Sequence, residues 1–231
     1  MQEWSLPSLQ EDVKSKVFVT LAELFFTASA LVLLFLVYQL WFTTEVSRSQ
    51  YQATSEQFLQ AIATPQQVSA EPVAEVVELE EISGLGLLYI PRLESEVWGL
   101  PIISGTSAKA LSQGVGHYSK TELPGEIGNF AIAGHRATNG EPFAYFEKLQ
   151  AGDMVYVQTN VGWFSYQLVQ DKKIQETEVW VLEDDPIGLG EQKLITLTTC
   201  DPRWNSTRRW AYWGVQTDFS TDAPKEIADD L

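Results

Sequence analysis

Hydrophobic and polar positions divide the chain into three regimes. Residues 24–44 (LFFTASALVLLFLVYQLWFTT) hold no charged side chain. At about 1.5 Å per residue this run covers roughly the 30 Å hydrocarbon core of a bilayer. Residues 17–21 extend it backwards past Glu23, and Tyr38, Trp41 and Phe42 suit an interfacial aromatic belt at its far end. A buried core helix or a cleaved signal peptide gives a similar run. A signal peptide's apolar region is shorter, about 7–15 residues, and wants small residues just beyond it. Here the next Ala-x-Ala is Ala61-Ile-Ala63, well downstream. The pattern predicts an uncleaved transmembrane anchor over residues 17–44. Lys14 and Lys16 flank one side and Arg48 the other, a bias that places residues 1–16 in the cytoplasm and the larger C-terminal part outside the cell.

Beyond the anchor the apolar period is lost. Residues 49–91 contain no Lys or Arg before Arg92, while Glu56, Glu71, Glu75, Glu78, Glu80 and Glu81 accumulate. Residues 55–62 read as a short helix. The Ala/Pro/Gln/Glu stretch 63–84 reads as an extended, self-repelling segment, so residues 45–84 are expected to form an acidic extracellular linker.

From residue 85 the pattern changes to short strands with turn signals between them. The expected strands cover residues 87–91, 97–103, 129–134, 154–159, 163–174, 193–199 and 209–218. Helical patches are expected at 107–113 and 143–149. Pro101, Gly105, Pro124-Gly125, Gly128, Gly140 and Gly152 punctuate the joins. So many strands with few helices predict a mostly β domain over residues 85–220, an antiparallel barrel or sandwich, ending in an acidic tail at 221–231.

Charge and cysteine usage narrow the functions. A net charge of -16 argues against a nucleic-acid partner, because phosphate binding requires Lys and Arg. The single cysteine, Cys200, cannot form an internal disulfide. It ends the strand-like run Ile195-Thr-Leu-Thr-Thr-Cys and is followed by Arg203, Arg208 and Arg209. Positive charge favours the thiolate, the nucleophilic form, so this setting points to a working cysteine. A redox-sensing thiol would need a resolving cysteine, and the chain has none.

Only two histidines compete for the role of base. His135 ends the strand Asn129-Phe-Ala-Ile-Ala-Gly-His, on the face shared by Asn129, Ala131 and Ala133. Thr196, Thr198 and Cys200 share a face of the other strand. Both groups thus sit at strand ends, where side chains project into a mouth or groove. The alternative for His135 is a structural histidine. His117, in Gly114-Val-Gly-His-Tyr-Ser, reads better as a hydrogen-bonded loop histidine. No Cys or His pair has zinc-ligand spacing, so no metal and no cofactor are expected. Arg209 opens the strand Arg-Trp-Ala-Tyr-Trp-Gly-Val, and a short antiparallel loop would return it beside Cys200. There a guanidinium can hold a developing oxyanion. The alternative is a surface arginine paired with Asp201 or a Glu, the role read for Arg203 and Arg208.

Taken in order, these pieces resemble a sortase, a membrane-anchored cysteine transpeptidase of Gram-positive cell surfaces. The matching segments are Gly86-Leu-Leu-Tyr-Ile-Pro91, Gly114-Val-Gly-His-Tyr118, Gly128-Asn-Phe-Ala-Ile-Ala-Gly-His-Arg136, and Leu197-Thr-Thr-Cys200 followed by Arg209. His135-Arg136-Ala-Thr-Asn-Gly140-Glu-Pro-Phe143 and the Thr-Thr-Cys are most similar to the class E branch. The resemblance spans about residues 85–220. It implies a closed eight-stranded β-barrel with a catalytic Cys200, His135 and Arg209, and Tyr118 and Thr199 as substrate-binding residues. It also implies cleavage of a C-terminal Leu-Ala-x-Thr-Gly or Leu-Pro-x-Thr-Gly sorting signal on surface proteins, between Thr and Gly. The acyl group then passes to a peptidoglycan precursor amine, or to a pilin lysine.

Three departures stand out. The Arg208-Arg209 doublet leaves the register of the arginine resting on the strand that follows. That strand carries Trp210, Tyr212 and Trp213 where aliphatic residues are usual, which reads as a partner surface or a reshaped groove. The short tail shows no second span, which disfavours pilus-building types with a C-terminal anchor. A cysteine peptidase, or a non-catalytic binding module on the same scaffold, are the competing readings.

Overall fold

The computed structural model describes residues 9–38, 42–63, 77–78 and 83–228. It divides into two units, residues 1–43 and 44–231. In the first unit the apolar run folds as a single helix, α1 (Leu9–Val37). Its segment Lys14–Val37 is long and apolar enough to cross a membrane, and its side chains are exposed all round. A helix that is apolar on every face has no polar side to turn to water, which fits a membrane anchor.

The second unit begins with a helix longer than the expected 55–62, α2 (Thr43–Ile62). Ser47, Tyr51, Thr54 and Phe58 recur every three or four residues and form its buried stripe. The stripe is half polar, which is why apolar patterning alone truncated the helix. Phe58 packs with Leu87, Tyr89, Tyr156, Trp163 and Ile227. This part of the expected linker is therefore a packed element of the second unit. The extended segment expected over 63–84 lies almost wholly outside the described residues; within it a two-residue strand, β1 (Val77–Glu78), pairs with the start of the next strand.

Eight strands close on themselves: β2 (Ser83–Tyr89), β3 (Leu100–Ser104), β4 (Val115–His117), β5 (Gly128–Ala133), β6 (Met154–Gln158), β7 (Trp163–Gln175), β8 (Lys193–Asp201) and β9 (Arg208–Ser220). Neighbours run β2-β3-β4-β5-β8-β9-β7-β6, and β6 pairs back onto β2. Closure leaves no free edge among these strands. Most pairings are antiparallel, but β3–β4 and β5–β8 are parallel. β4 was not among the expected strands; three residues with a central Gly116 are too short to show alternation. Alternate residues such as Phe130, Ile132, Ile195 and Leu197 fill the interior with Leu88 and Tyr166. Full burial of each such side chain is worth about 1.5–3 kcal/mol.

Helical patches are smaller than expected. Ser107 caps α3 (Ala108–Leu111), its hydroxyl accepting from the Ala110 N–H at 3.2 Å. Residues 143–149 yield only one 3-10 turn, Phe146–Lys148, because Leu149 turns extended. In the tail, Lys225–Ala228 forms a single turn, α4, and Ile227 is buried.

The aromatic strand residues are not a partner surface. Tyr212 and Trp213 are buried, and Trp210 packs partly buried against the core. Trp213 stacks on Trp180 at 5.7 Å and so fastens the β7–β8 loop to the barrel. Asn129 adds two amide donations to that loop, to the Val181 and Glu183 carbonyls at 3.1 and 3.0 Å.

Candidate active site

Strand register brings three separated side chains level. β5 and β8 run parallel with Ala133 opposite Thr198, so two residues further on His135 and Cys200 stand side by side. β8 and β9 are antiparallel with Cys200 directly opposite Arg209. All three line one cavity of about 230 Å³, together with Thr106, Tyr118 and Thr199. Cys200 is a half-buried free thiol.

The supporting bonds explain how the strand ends stay in line. The Gly134 N–H donates to the Thr198 carbonyl at 3.0 Å. The Thr199 hydroxyl donates to the Gly134 carbonyl at 2.8 Å, so this buried threonine ties the cysteine strand to the histidine strand. Gly134 itself has no room for a side chain: an added Cβ would sit 2.6 Å from the Phe143 ring. Burial pushes the His135 imidazole below the ordinary histidine value. Arg209 donates to the carbonyls of Ser206 and Arg208, both at 3.0 Å, and reaches Glu176 at 3.3 Å. Its charge is thus held at the cavity by neutral acceptors and one loose, exposed carboxylate.

Tyr118 lines both this cavity and a larger one of about 510 Å³. Its hydroxyl pairs with the Thr198 hydroxyl at 3.0 Å. Thr121, Val179, Leu182 and Glu183 line the larger space, and Thr106 is shared by both. His117 lies elsewhere in kind: buried, stacked on Phe130 at 5.3 Å, its Nε2 donating to the Glu122 carbonyl at 3.0 Å. It is a packed histidine on β4 rather than on a loop.

The residues next in sequence to the site form a second constellation, of which sequence reasoning read only the Arg208 pairing with an acid and missed Arg136. Buried Arg136 donates to the Cys200 carbonyl at 3.2 Å, to Asp201 at 3.0 Å and to Glu147 at 2.9 Å. Asp201, also buried, takes Arg208 at 2.9 Å and Lys173 at 3.2 Å. Burial alone would push the Asp201 carboxyl up, but hydrogen bonds from Arg136 and Lys173 outweigh it and hold it below the usual aspartate range. The signal was available in the alternation of strands: if 135, 200 and 209 face a groove, then 136, 201 and 208 face away from it together.

A thiol and an imidazole level with each other at the rim of a closed eight-stranded barrel have the form of a sortase. The Sortase domain family model matches residues 88–217. Sortase SrtE1 of Streptomyces coelicolor is 38% identical over 84% of this chain, and the chain spans 55% of that protein's length. Sortase SrtE2 of the same organism is 32% identical over 90% of this chain and 87% of its own length. The solved structure of sortase E from Streptomyces avermitilis superposes with a TM-score of 0.55 at 36% identity, covering 61% of this chain and 93% of that one. The chain belongs to the sortase family of cysteine transpeptidases.

Proposed function

We propose that this chain is a membrane-anchored sortase that cleaves a C-terminal sorting signal of the Leu-Ala-x-Thr-Gly or Leu-Pro-x-Thr-Gly type between Thr and Gly, and joins the acyl group to a cell-wall amine. The observation that carries the reading is the meeting of Cys200, His135 and Arg209 in one cavity. Cys200 gives its proton to His135 and attacks the threonine carbonyl. Arg209, held by carbonyl acceptors, keeps guanidinium N–H groups near the oxygen that becomes negative. The tetrahedral adduct collapses, the C–N bond breaks, and His135 returns the proton to the departing glycine amine. An incoming amine then loses a proton to His135 and displaces the thiolate, forming the new amide. Burial holds the His135 imidazole below its ordinary value, which favours the neutral ring as acceptor of the proton.

Tyr118, shared by the two cavities, is positioned to contact the signal upstream of its threonine, and Thr199 to shape the wall beside that threonine. Class E similarity favours the Leu-Ala-x-Thr-Gly form. Lys14 and Lys16 near the start of α1, against the single Arg48 beyond its end, support a cytoplasmic N-terminus and a barrel outside the cell.

The test is to incubate the full chain in detergent, beside its Cys200→Ala variant, with both signal peptides and triglycine, and to read products by mass spectrometry. Cys200-dependent transfer of the fragment ending in Thr to triglycine supports the proposal. Cleavage with water as sole acceptor makes the protein a peptidase. Absence of any acyl-enzyme favours the binding-module reading.

A further inference from the structure

The side of His135 that the reaction scheme leaves unused is occupied. The Asn139 side-chain amide lies 3.2 Å from His135 Nε2. Asn139 adopts φ 50°, the left-handed region that asparagine tolerates better than most residues. That backbone is held from outside the barrel: the Tyr51 hydroxyl of α2 donates to the Asn139 carbonyl. The next residue, Gly140, meets the same tyrosine so closely that an added Cβ would collide with its ring. Tyr51 is only 7% exposed. One turn on, the Ser55 hydroxyl lies within hydrogen-bond distance of the Gly99 carbonyl at 2.7 Å, and Phe58 beyond it is buried, so the helix is fastened at three successive points.

We infer that Asn139 is a positioning residue for His135, completing a Cys200–His135–Asn139 relay, and that Tyr51 of the helix following the anchor holds Asn139 in place. The inference rests on the reading of His135 as the acid–base group. Amide oxygen and nitrogen are assigned from the bonding pattern, and with Oδ1 facing the ring the neutral imidazole carries its proton on Nε2 and donates it to Asn139, leaving the Nδ1 lone pair free. When the ring becomes imidazolium the added proton sits on Nδ1, and the same Nε2–H···Oδ1 bond to Asn139 persists. In both states Nε2 is committed to Asn139, and Nδ1 is the nitrogen left to exchange a proton with Cys200 and the departing amine. This is the logic of a base oriented by a third group. The ionisable groups lining the His135 cavity are Cys200, Arg209 and Tyr118, and Tyr51 reaches it only through Asn139. Asn139 adds no charge, so it orients the ring without biasing it towards imidazolium.

The test uses the full chain in detergent with ¹³C-labelled histidine, and reads the His135 NMR titration alongside kcat and KM for transfer to triglycine. Asn139→Gly keeps the left-handed backbone and removes only the amide; kcat is expected to fall about tenfold or more with KM within about twofold. Asn139→Asp offers Nε2–H a charged acceptor and is expected to raise the His135 midpoint by roughly half a pH unit or more. Tyr51→Phe, which keeps the ring against Gly140, is expected to lower kcat about two- to fivefold, in the same direction as Asn139→Gly. An unmoved His135 titration in Asn139→Asp overturns the inference, whatever the activity. So does Asn139→Gly with wild-type kcat. A wild-type kcat in Tyr51→Phe removes the helix from it. If the wild-type chain transfers nothing, the functional reading fails, and the titration still decides whether Asn139 contacts the ring.

Discussion

Residues 135, 200 and 209 and residues 136, 201 and 208 occupy the same three strand ends, one position apart, and do opposite work. The first set faces a cavity. There the arginine meets carbonyl oxygens and one loose carboxylate, and the histidine meets a neutral amide. The second set faces the other way, where Asp201 is surrounded by Arg136, Lys173 and Arg208. Trp210 covers that side, with the Arg136 guanidinium 5.1 Å and the Lys173 ammonium 4.2 Å from its ring centre. One side of the strands leaves charge unspent and the other neutralises it. The lesson is that a positive residue near a cysteine says little until its facing is known, because strand alternation sends Arg208 and Arg209 to different jobs.

The comparison breaks most sharply at the thiol. Cys200→Ala is expected to lower transfer by about 10⁴-fold or more, with no acyl-enzyme seen by mass spectrometry. Next come His135→Ala and Arg209→Ala, each expected to lower kcat/KM by about 10²–10⁴-fold in a peptide assay while the fold melts normally. Arg208→Ala, its neighbour, is expected to stay within about fivefold, since a half-exposed ion pair is worth about 1 kcal/mol or less. A dead Arg208→Ala beside an active Arg209→Ala would reverse the facing assigned here.

The opposite face is sharpened by stability rather than rate. Asp201→Asn leaves buried Arg136 without its carboxylate and is expected to cost about 3 kcal/mol in denaturant unfolding. The pH dependence has a definite sign. The Asp201 carboxyl lies lower when folded than when unfolded, so its contribution is fully present above the unfolded value, about 3.9. It is lost as pH falls through the lower folded value. Asp201→Asn should therefore flatten the acid limb of the stability curve below about pH 4. The smallest effect is expected at Tyr118→Phe, which loses one hydroxyl pairing with Thr198. A rise of about two- to tenfold in KM for the signal peptide, with kcat little changed, would place Tyr118 on the substrate path.

Much of this was legible beforehand, for identifiable reasons. The membrane-length run depends on length and apolar composition alone. The strand cores of β5, β7, β8 and β9 show through short apolar runs bounded by turn signals, and β5 and β8 are buried along almost their whole length. His135 and Cys200 stand out because the chain has two histidines and one cysteine. β4 stayed hidden because three residues around a glycine carry no period, and α2 was cut short because its buried stripe is half serine and threonine. Arg136 and Asn139 passed as ordinary polar residues and Asp201 as a surface ion-pair partner, since nothing local distinguishes a buried ion pair from a solvated one.

The sequence by itself determined the apolar helix, most of the strands and the candidacy of the thiol and imidazole, because local pattern and rarity are properties of the linear chain. Only the tertiary structure decided which residues share a face. The parallel β5–β8 pairing brings residues 65 positions apart level. The α2 packing carries Tyr51 to a loop 88 positions away. Those are non-local contacts, made when burial of the barrel core closes the chain on itself, and no short window of sequence contains both partners.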